Sequence, residues 1–385
     1  MKRSDHRILT THVGSLVRPK ALLDDAKAAP DGGTAAQARY AETLRHQVTD
    51  VVKQQAEVGL DIVNDGEYGK SSWAMYALER ITGFEIHRDQ LRPIYWLGRD
   101  RDRFREAIEA DIPMVKTGNP TEICVGPITY KAQDVVRRDT DNLKAATTGV
   151  KVEEVFMTAV APASTAFDGV NEYYPNEHDY VFSIAEALRE EYRAIHNAGF
   201  VLQVDDAVLA NMYDHLVQQS PAKYREWAQL RIDALNHALE GIPEDRVRYH
   251  VCFGSWHVPH VADAPLEDII DLVLQVRAQA YSIEAANPRH EHEWRVWEEK
   301  AKLPPGKILI PGVVTHHTVT VEHPRVVADR IIRYARIVGR ENVIAGTDCG
   351  FAQADFIQRV HPTVMWAKFE ALAEGARLAS RELWG

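Results

Sequence analysis

Cysteine is scarce: the chain has three, Cys124, Cys252 and Cys349, in 385 residues. An odd, small number builds no disulfide framework, so the thiols are expected to be reduced and either packed or chemically employed. Long hydrophobic runs are missing too. No stretch of about 18 apolar residues occurs, which excludes a membrane-spanning helix. The N-terminus, MKRSDHRILTTHVGS, lacks the apolar segment of a secretory signal, so the cytoplasm is the expected compartment. Basic residues are in deficit, with 45 Lys and Arg against 56 Asp and Glu and a formal charge of −11. Phosphate backbones and anionic lipids repel such a chain, so neither nucleic acid nor a membrane is an expected partner. Glycine (22) and proline (18) are near average, which excludes collagen-like and low-complexity chains. What remains is an ordinary globular composition on a chain long enough to bury a large core.

Short Val- and Ile-rich runs recur along the chain. Candidate strands are 8–15, 62–67, 155–160, 200–205, 247–252, 281–284, 308–313 and 343–348, most of them ending at a polar residue. A ninth run, 122–128 (EICVGPI), also reads as extended. Apolar residues three and four apart predict helices over 36–58, 181–198, 222–240, 266–280, 325–338 and 363–382. Eight strands alternating with helices predict an α/β fold, a (β/α)8 TIM barrel, with a doubly wound sheet as the rival. The charged segment 84–150 has little such regularity. It is read as an insertion after the second strand within a single catalytic domain spanning 1–385.

Polar residues gather where the strands end: His12 and Ser15, then Asp65-Gly66-Glu67, Asp205-Asp206, His250-Val251-Cys252, Glu284, and Asp348-Cys349-Gly350. A barrel places its chemistry at these ends. Residues i and i+2 of a strand point the same way, so His250 and Cys252 would face the axis together. Cys349 would add a second thiolate and Glu284 a carboxylate, a donor set that suits zinc over magnesium or calcium. The competing reading makes the cysteines small core residues and His250 a satisfied core histidine. Zinc on two thiolates, a neutral imidazole and a carboxylate is a weak Lewis acid. Such a centre suits the capture of a substrate thiol as thiolate.

Other motifs carry less. GEYGKSS (66–72) imitates a phosphate loop, but Asn64 stands where that loop needs glycine. NPRHEHEW (287–294) reads as a solvated charged loop despite His290 and His292. His316-His317, after the seventh strand, reads equally as a proton donor or as an exposed loop pair. Trp294 and Trp297 stand at helical spacing and read as packing.

At these residues the chain resembles the cobalamin-independent methionine synthase family, in its C-terminal catalytic barrel. TTHVGS (10–15), NDGE (64–67), LQVDD (202–206), HVC (250–252), SIE (282–284), IPGVV (310–314) and TDCG (347–350) follow the family's segments in order. The N-terminal barrel copy has no counterpart, so the chain looks like a short, single-barrel member. The resemblance implies zinc (Zn2+) on His250, Cys252, Glu284 and Cys349. It also implies contacts to an amino-acid thiol from Ser15, Glu67 and Asp205, and a proton-donating histidine at His317. Two segments depart from the family: THHTVTVEHP replaces its D-I-H-S pattern, and LQVDDAV lacks its D-E-P.

The expected activity is zinc-dependent alkyl transfer, as in methionine biosynthesis, from a methyl-folate donor to a homocysteine-like thiol. A methyl on a ring nitrogen leaves only when that nitrogen is protonated, and His317 or its neighbour His316 is the candidate acid. The partners implied are the small-molecule thiol and the alkyl donor, and assembly into an oligomer stays open. NDGE, H-x-C, VEHP and TDCG also resemble the epoxyalkane–coenzyme M transferases, in which a thiol opens an epoxide. A third alternative is a non-catalytic barrel that binds zinc or a thiol.

Overall fold

A computed structural model describes all residues except 95, 112–117, 255–256 and 356. In chain order the described strands are β1 (Leu9–Thr10), β2 (Ile62–Val63), β3 (Phe84–Arg92), β4 (Asn119–Cys124), β5 (Glu154–Val160), β6 (Val170–Asn171), β7 (Val201–Asp206), β8 (Val247–Val251), β9 (Ala280–Ile283), β10 (Ile308–Val314) and β11 (Ile344–Thr347). Eight of them form one parallel sheet in the order β1-β11-β10-β9-β8-β7-β5-β2. Its two end strands meet where the Asp61 N–H donates to Thr10 O (3.2 Å) and the Thr11 hydroxyl to Ile62 O (3.1 Å). The sheet is therefore a nearly closed barrel with helices around it, the α/β TIM barrel expected from the alternating pattern.

The first two strands are shorter than their apolar runs. Beyond Thr11, backbone donors go to side chains and turns: Val13 N–H to Thr347 Oγ1 (3.2 Å) and Leu16 N–H to Gly66 O (3.0 Å). The second strand stops at Val63 because the next four residues form a turn. Asn64 Oδ1 accepts from Gly66 N–H (2.8 Å), and Asp65 Oδ1 accepts from Glu67 N–H (3.0 Å). Glu67 itself sits at φ +60°, a left-handed conformation uncommon outside glycine.

Helices Gly33–Glu57, Glu177–Asn197, Pro221–Ala238, Pro324–Val338 and Pro362–Trp384 lie where the periodicity predicts them. Three begin with proline at a first-turn position and a capping side chain, Ser220, His323 and His361, which fixes their start. The helix expected over 266–280 ends early, at Val273. The chain turns there to reach β9, and the Gln279 N–H already bonds Glu244 O and Val247 O across the barrel floor. The segment 84–150 is more regular than its charge suggests. β3 pairs antiparallel with β4, β6 joins parallel, and helix Gln133–Thr147 packs against helix Gly33–Glu57. The ninth apolar run enters β4 as far as Cys124 and then leaves the strand.

Inside the barrel, Leu9, Ile62, Phe156, Val201, Ile308, Ile310 and Ile344 form an apolar cluster. Each such side chain stabilises the fold by about 1.5–3 kcal/mol relative to exposure. Arg248, fully buried, lies over the Phe156 ring and donates to Thr11 Oγ1 (3.0 Å) and His12 O (2.8 Å). Polar groups thus succeed apolar ones along the barrel axis. No described helix is long and apolar enough to cross a membrane.

Candidate functional site

β8 delivers His250 and, one residue beyond its end, Cys252. Cys349 follows β11 by two residues. One nitrogen of His250 and both sulfurs lie within 4.8 Å of one another, the one such group of three or more His, Cys, Asp or Glu among the described residues. The two sulfurs stand 3.5 Å apart, and neither cysteine is in a disulfide. Tetrahedral zinc, with Zn–S bonds of about 2.3 Å, would hold its sulfurs about 3.8 Å apart. His250 is 1% exposed, and neither ring nitrogen has a hydrogen-bond partner among the described residues. A buried imidazole left so is costly unless something else satisfies it. Soft donors at this spacing and an orphaned imidazole fit a zinc-type ion.

Glu284 sits just past β9, near Cys252 but outside this group. Its Oε1 accepts from Phe253 N–H (3.2 Å) and its Oε2 from Asn287 Nδ2 (2.9 Å). Burial, then the charge of Cys252, pushes its carboxyl well above the ordinary range. Asp348 accepts from the Ala285 and Ala286 N–H groups (2.8 Å each) and so ties the end of β9 to β11. That lock needs Gly312 in β10, where a Cβ would lie 2.2 Å from Asp348 Oδ1.

Ser15, Glu67 and Asp205 line the same cavity as His250, Cys252 and Cys349. Glu67 Oε2 is buried without a hydrogen-bond partner. Asp205 accepts from Gln203 Nε2 (2.6 Å), and burial followed by the charge of Glu67 pushes its pKa up to about 7. Asp206, its neighbour, does structural work instead. It accepts from Val208 and Leu209 N–H (3.1 Å each) at the start of helix Val208–Val217. Arg18 fixes the wall by donating to Ala352 O, Glu67 O and Lys70 O (3.1, 2.9 and 3.0 Å).

His316 and His317 line an adjoining cavity with Glu284, His290 and His260, and Gly254 borders both spaces. The first cavity measures about 60 Å³ and the second about 360 Å³. His316 is buried with both ring nitrogens unpartnered, and burial holds its pKa well below the ordinary value. Burial, then the charge of His257, holds His317 down to about 4. His290 corrects the reading of 287–294 as a solvated loop. It is 2% exposed and bridges Glu293 Oε2 (2.8 Å) and Asp263 Oδ2 (3.2 Å). Burial lowers its pKa, but those two bonds outweigh it and push the value up to about 10. Arg359, absent from the sequence reading, lines the first cavity near the sulfurs. It stands in no recognisable motif; a position in a loop after a strand end was the only signal.

A family model described as the catalytic domain of cobalamin-independent synthase matches residues 170–368, just over half of the chain. The chain belongs to this family. Among curated proteins, it is 23% identical to a methionine synthase of Thermococcus kodakarensis, with 97% of this chain and 94% of that one aligned. It is 25% identical to one of Pyrococcus furiosus, covering 90% and 87%. Two solved structures share the fold. One is a B12-independent methionine synthase from Shewanella sp. W3-18-1 in complex with selenomethionine (TM-score 0.71, 20% identity, covering 98% and 99%). The other is a putative vitamin-B12-independent methionine synthase from Listeria monocytogenes (TM-score 0.66, 19% identity, covering 98% and 99%). The matched region contains His250, Cys252, Glu284, His317 and Cys349. Ser15 and Glu67 lie outside it and reach the cavity from the N-terminal strands.

Proposed function

We propose that this protein transfers a methyl group to the thiol of homocysteine or a closely similar amino-acid thiol, with zinc held by His250, Cys252, Cys349 and Glu284. The observation that carries the reading is the buried His250 imidazole, without a hydrogen-bond partner among the described residues, facing the sulfurs of Cys252 and Cys349 in a cavity walled by Glu67 and Asp205. Family membership supports it. Bound zinc would supply the Lewis acidity that keeps a thiol deprotonated near neutral pH.

The chain's own residues bind and orient. Glu67 and Asp205 present carboxylates to the substrate ammonium, and Ser15 offers a hydroxyl beside them. The narrow first cavity holds the small thiol. The wider one beyond Gly254 suits a bulkier methyl donor of the tetrahydrofolate type. Fixing the two reactants across that border makes the encounter effectively unimolecular. The leaving ring nitrogen must gain a proton, and His317 is the proposed source, with His316 its alternative. His317 is neutral at pH 7, so it serves by passing a proton between its two nitrogens, not by storing one.

The test is metal analysis of the purified protein, then incubation of the zinc-loaded form with homocysteine and 5-methyltetrahydrofolate. Stoichiometric zinc and methionine formation are expected. Thiol bound but not consumed would make this a binding barrel, and coenzyme M opening an epoxide in a parallel incubation would replace the reading.

A further inference from the structure

The loop after β9 opens with Asn287, a residue to which the thiol-transfer reading gives no role. It is 5% exposed, and its amide uses all four of its hydrogen-bonding capacities. Oδ1 accepts from the Arg289 and His290 N–H groups (3.1 Å each). Nδ2 donates to Glu284 Oε2 (2.9 Å) and to Asp348 Oδ2 (3.2 Å). Two N–H donors on one side and two carboxylates on the other decide which way the amide faces. Among the described residues, no other side chain bonds Glu284, whose second oxygen is held by the Phe253 N–H (3.2 Å). Asp348 is served better, with the Ala285 and Ala286 N–H groups in addition to the amide. Each donor takes one lone pair, so both oxygens of Glu284 keep another for a cation. The loop itself is pinned: the ring of His290, whose N–H feeds Asn287, bridges Glu293 and Asp263. Burial works against a carboxylate beside Cys252, and one rigidly held amide offsets it.

We infer that Asn287 is a positioning residue for the metal centre. Its amide holds the Glu284 carboxylate in place as a ligand and ties it to Asp348, the neighbour of Cys349, so that donors arriving from β9 and β11 are set as one unit. The inference rests on the zinc reading above and deepens it by naming the residue on which its carboxylate ligand depends. Groups that orient a ligand in this way typically govern about 10- to 100-fold in metal affinity.

Chelator competition for zinc and the visible bands of the cobalt-loaded protein test this without turnover. Asn287→Ser is the informative variant. A serine hydroxyl still accepts from N–H groups two and three residues on, which keeps the turn, but it is too short to reach Glu284. Zinc affinity is expected to fall on the order of 10- to 100-fold, and the cobalt bands to move from the wild-type positions towards those of Glu284→Gln. In the Glu284→Gln background the same substitution should cost less than about twofold, because the amide acts through that carboxylate. Wild-type affinity and bands in Asn287→Ser overturn the inference, as does a loss of equal size in both backgrounds. A crystal of the zinc-loaded wild-type protein gives a check that needs no variant. Glu284 on the ion with Asn287 Nδ2 still within hydrogen-bond distance of the carboxylate is expected; a Glu284 that reaches the ion only by parting from Asn287 overturns the inference. If wild-type protein binds zinc stoichiometrically while any overturning result holds, only this inference falls. If it binds no zinc, the reading of a metal-held thiol falls with it.

Discussion

Replacing Cys349 by serine isolates the metal from the fold. The side chain is 5% exposed, its sulfur stands 3.5 Å from that of Cys252, and Val13 and Ala207 complete its apolar surroundings. Serine is slightly smaller, and its hydroxyl would face the cavity that His250 also lines, so the metal-free protein should lose no more than about 1 kcal/mol. Zinc affinity should respond differently. Binding at four-ligand sites amounts to roughly 10–16 kcal/mol, so one ligand contributes about 3–4 kcal/mol on average. That predicts a fall in affinity on the order of 10²–10³-fold, read by competition with a chromogenic chelator. Cys124→Ser is the control. Cys124 is fully buried at the end of β4, its thiol directed at Gly126 O (3.5 Å), and it lines neither cavity. It should leave zinc affinity unchanged while costing some stability. Wild-type affinity in Cys349→Ser, or an equal loss in Cys124→Ser, would refute the ligand assignment.

Three further outcomes follow from packing and charge. Arg80 is buried between Asp139 (2.6 Å) and Glu191 (3.2 Å), so Arg80→Met leaves the buried Glu191 carboxylate without its cation, while Asp139 keeps Arg138 (2.6 Å), and should cost about 3–5 kcal/mol in urea denaturation; a loss under about 1 kcal/mol would contradict the burial. His290 titrates near 10 in the fold against an ordinary 6.5. The folded state therefore holds the proton more tightly, and its contribution is complete below pH 6.5 and lost as pH rises towards 10. His290→Gln should flatten that alkaline decline, and an unchanged pH–stability curve would show that the imidazolium contributes nothing. Gly312→Ala would put a Cβ 2.7 Å from the backbone of Asp348, forcing β10 and β11 apart. It should destabilise by about 1–3 kcal/mol and weaken zinc binding by moving Cys349; a full-stability variant with native zinc affinity would show that the close approach is relaxed elsewhere.

The alternation of short apolar runs with amphipathic stretches was enough to predict an α/β fold and to put the barrel ahead of a doubly wound sheet, because period and strand ends are local properties. It also marked His250, Cys252, Glu284 and Cys349 as strand-end residues, since the i, i+2 rule and the barrel's geometry need no knowledge of contacts. Tertiary structure alone decided the rest. Cys252 and Cys349 are 97 positions apart, and their 3.5 Å separation exists only because β9 and β10 lie between their strands in the barrel and Asp348 locks β11 to the end of β9. His290 looked solvated among charged neighbours. It is buried because Asp263, 27 residues away, closes over it and satisfies its second nitrogen. Arg359 carried no pattern at all, and what turned it into the cavity was its bond to Gln353 in a loop without regular structure. Periodicity encodes which face of an element is buried; it does not encode which distant side chain will meet a given charge there, and that pairing is settled only when the strands close.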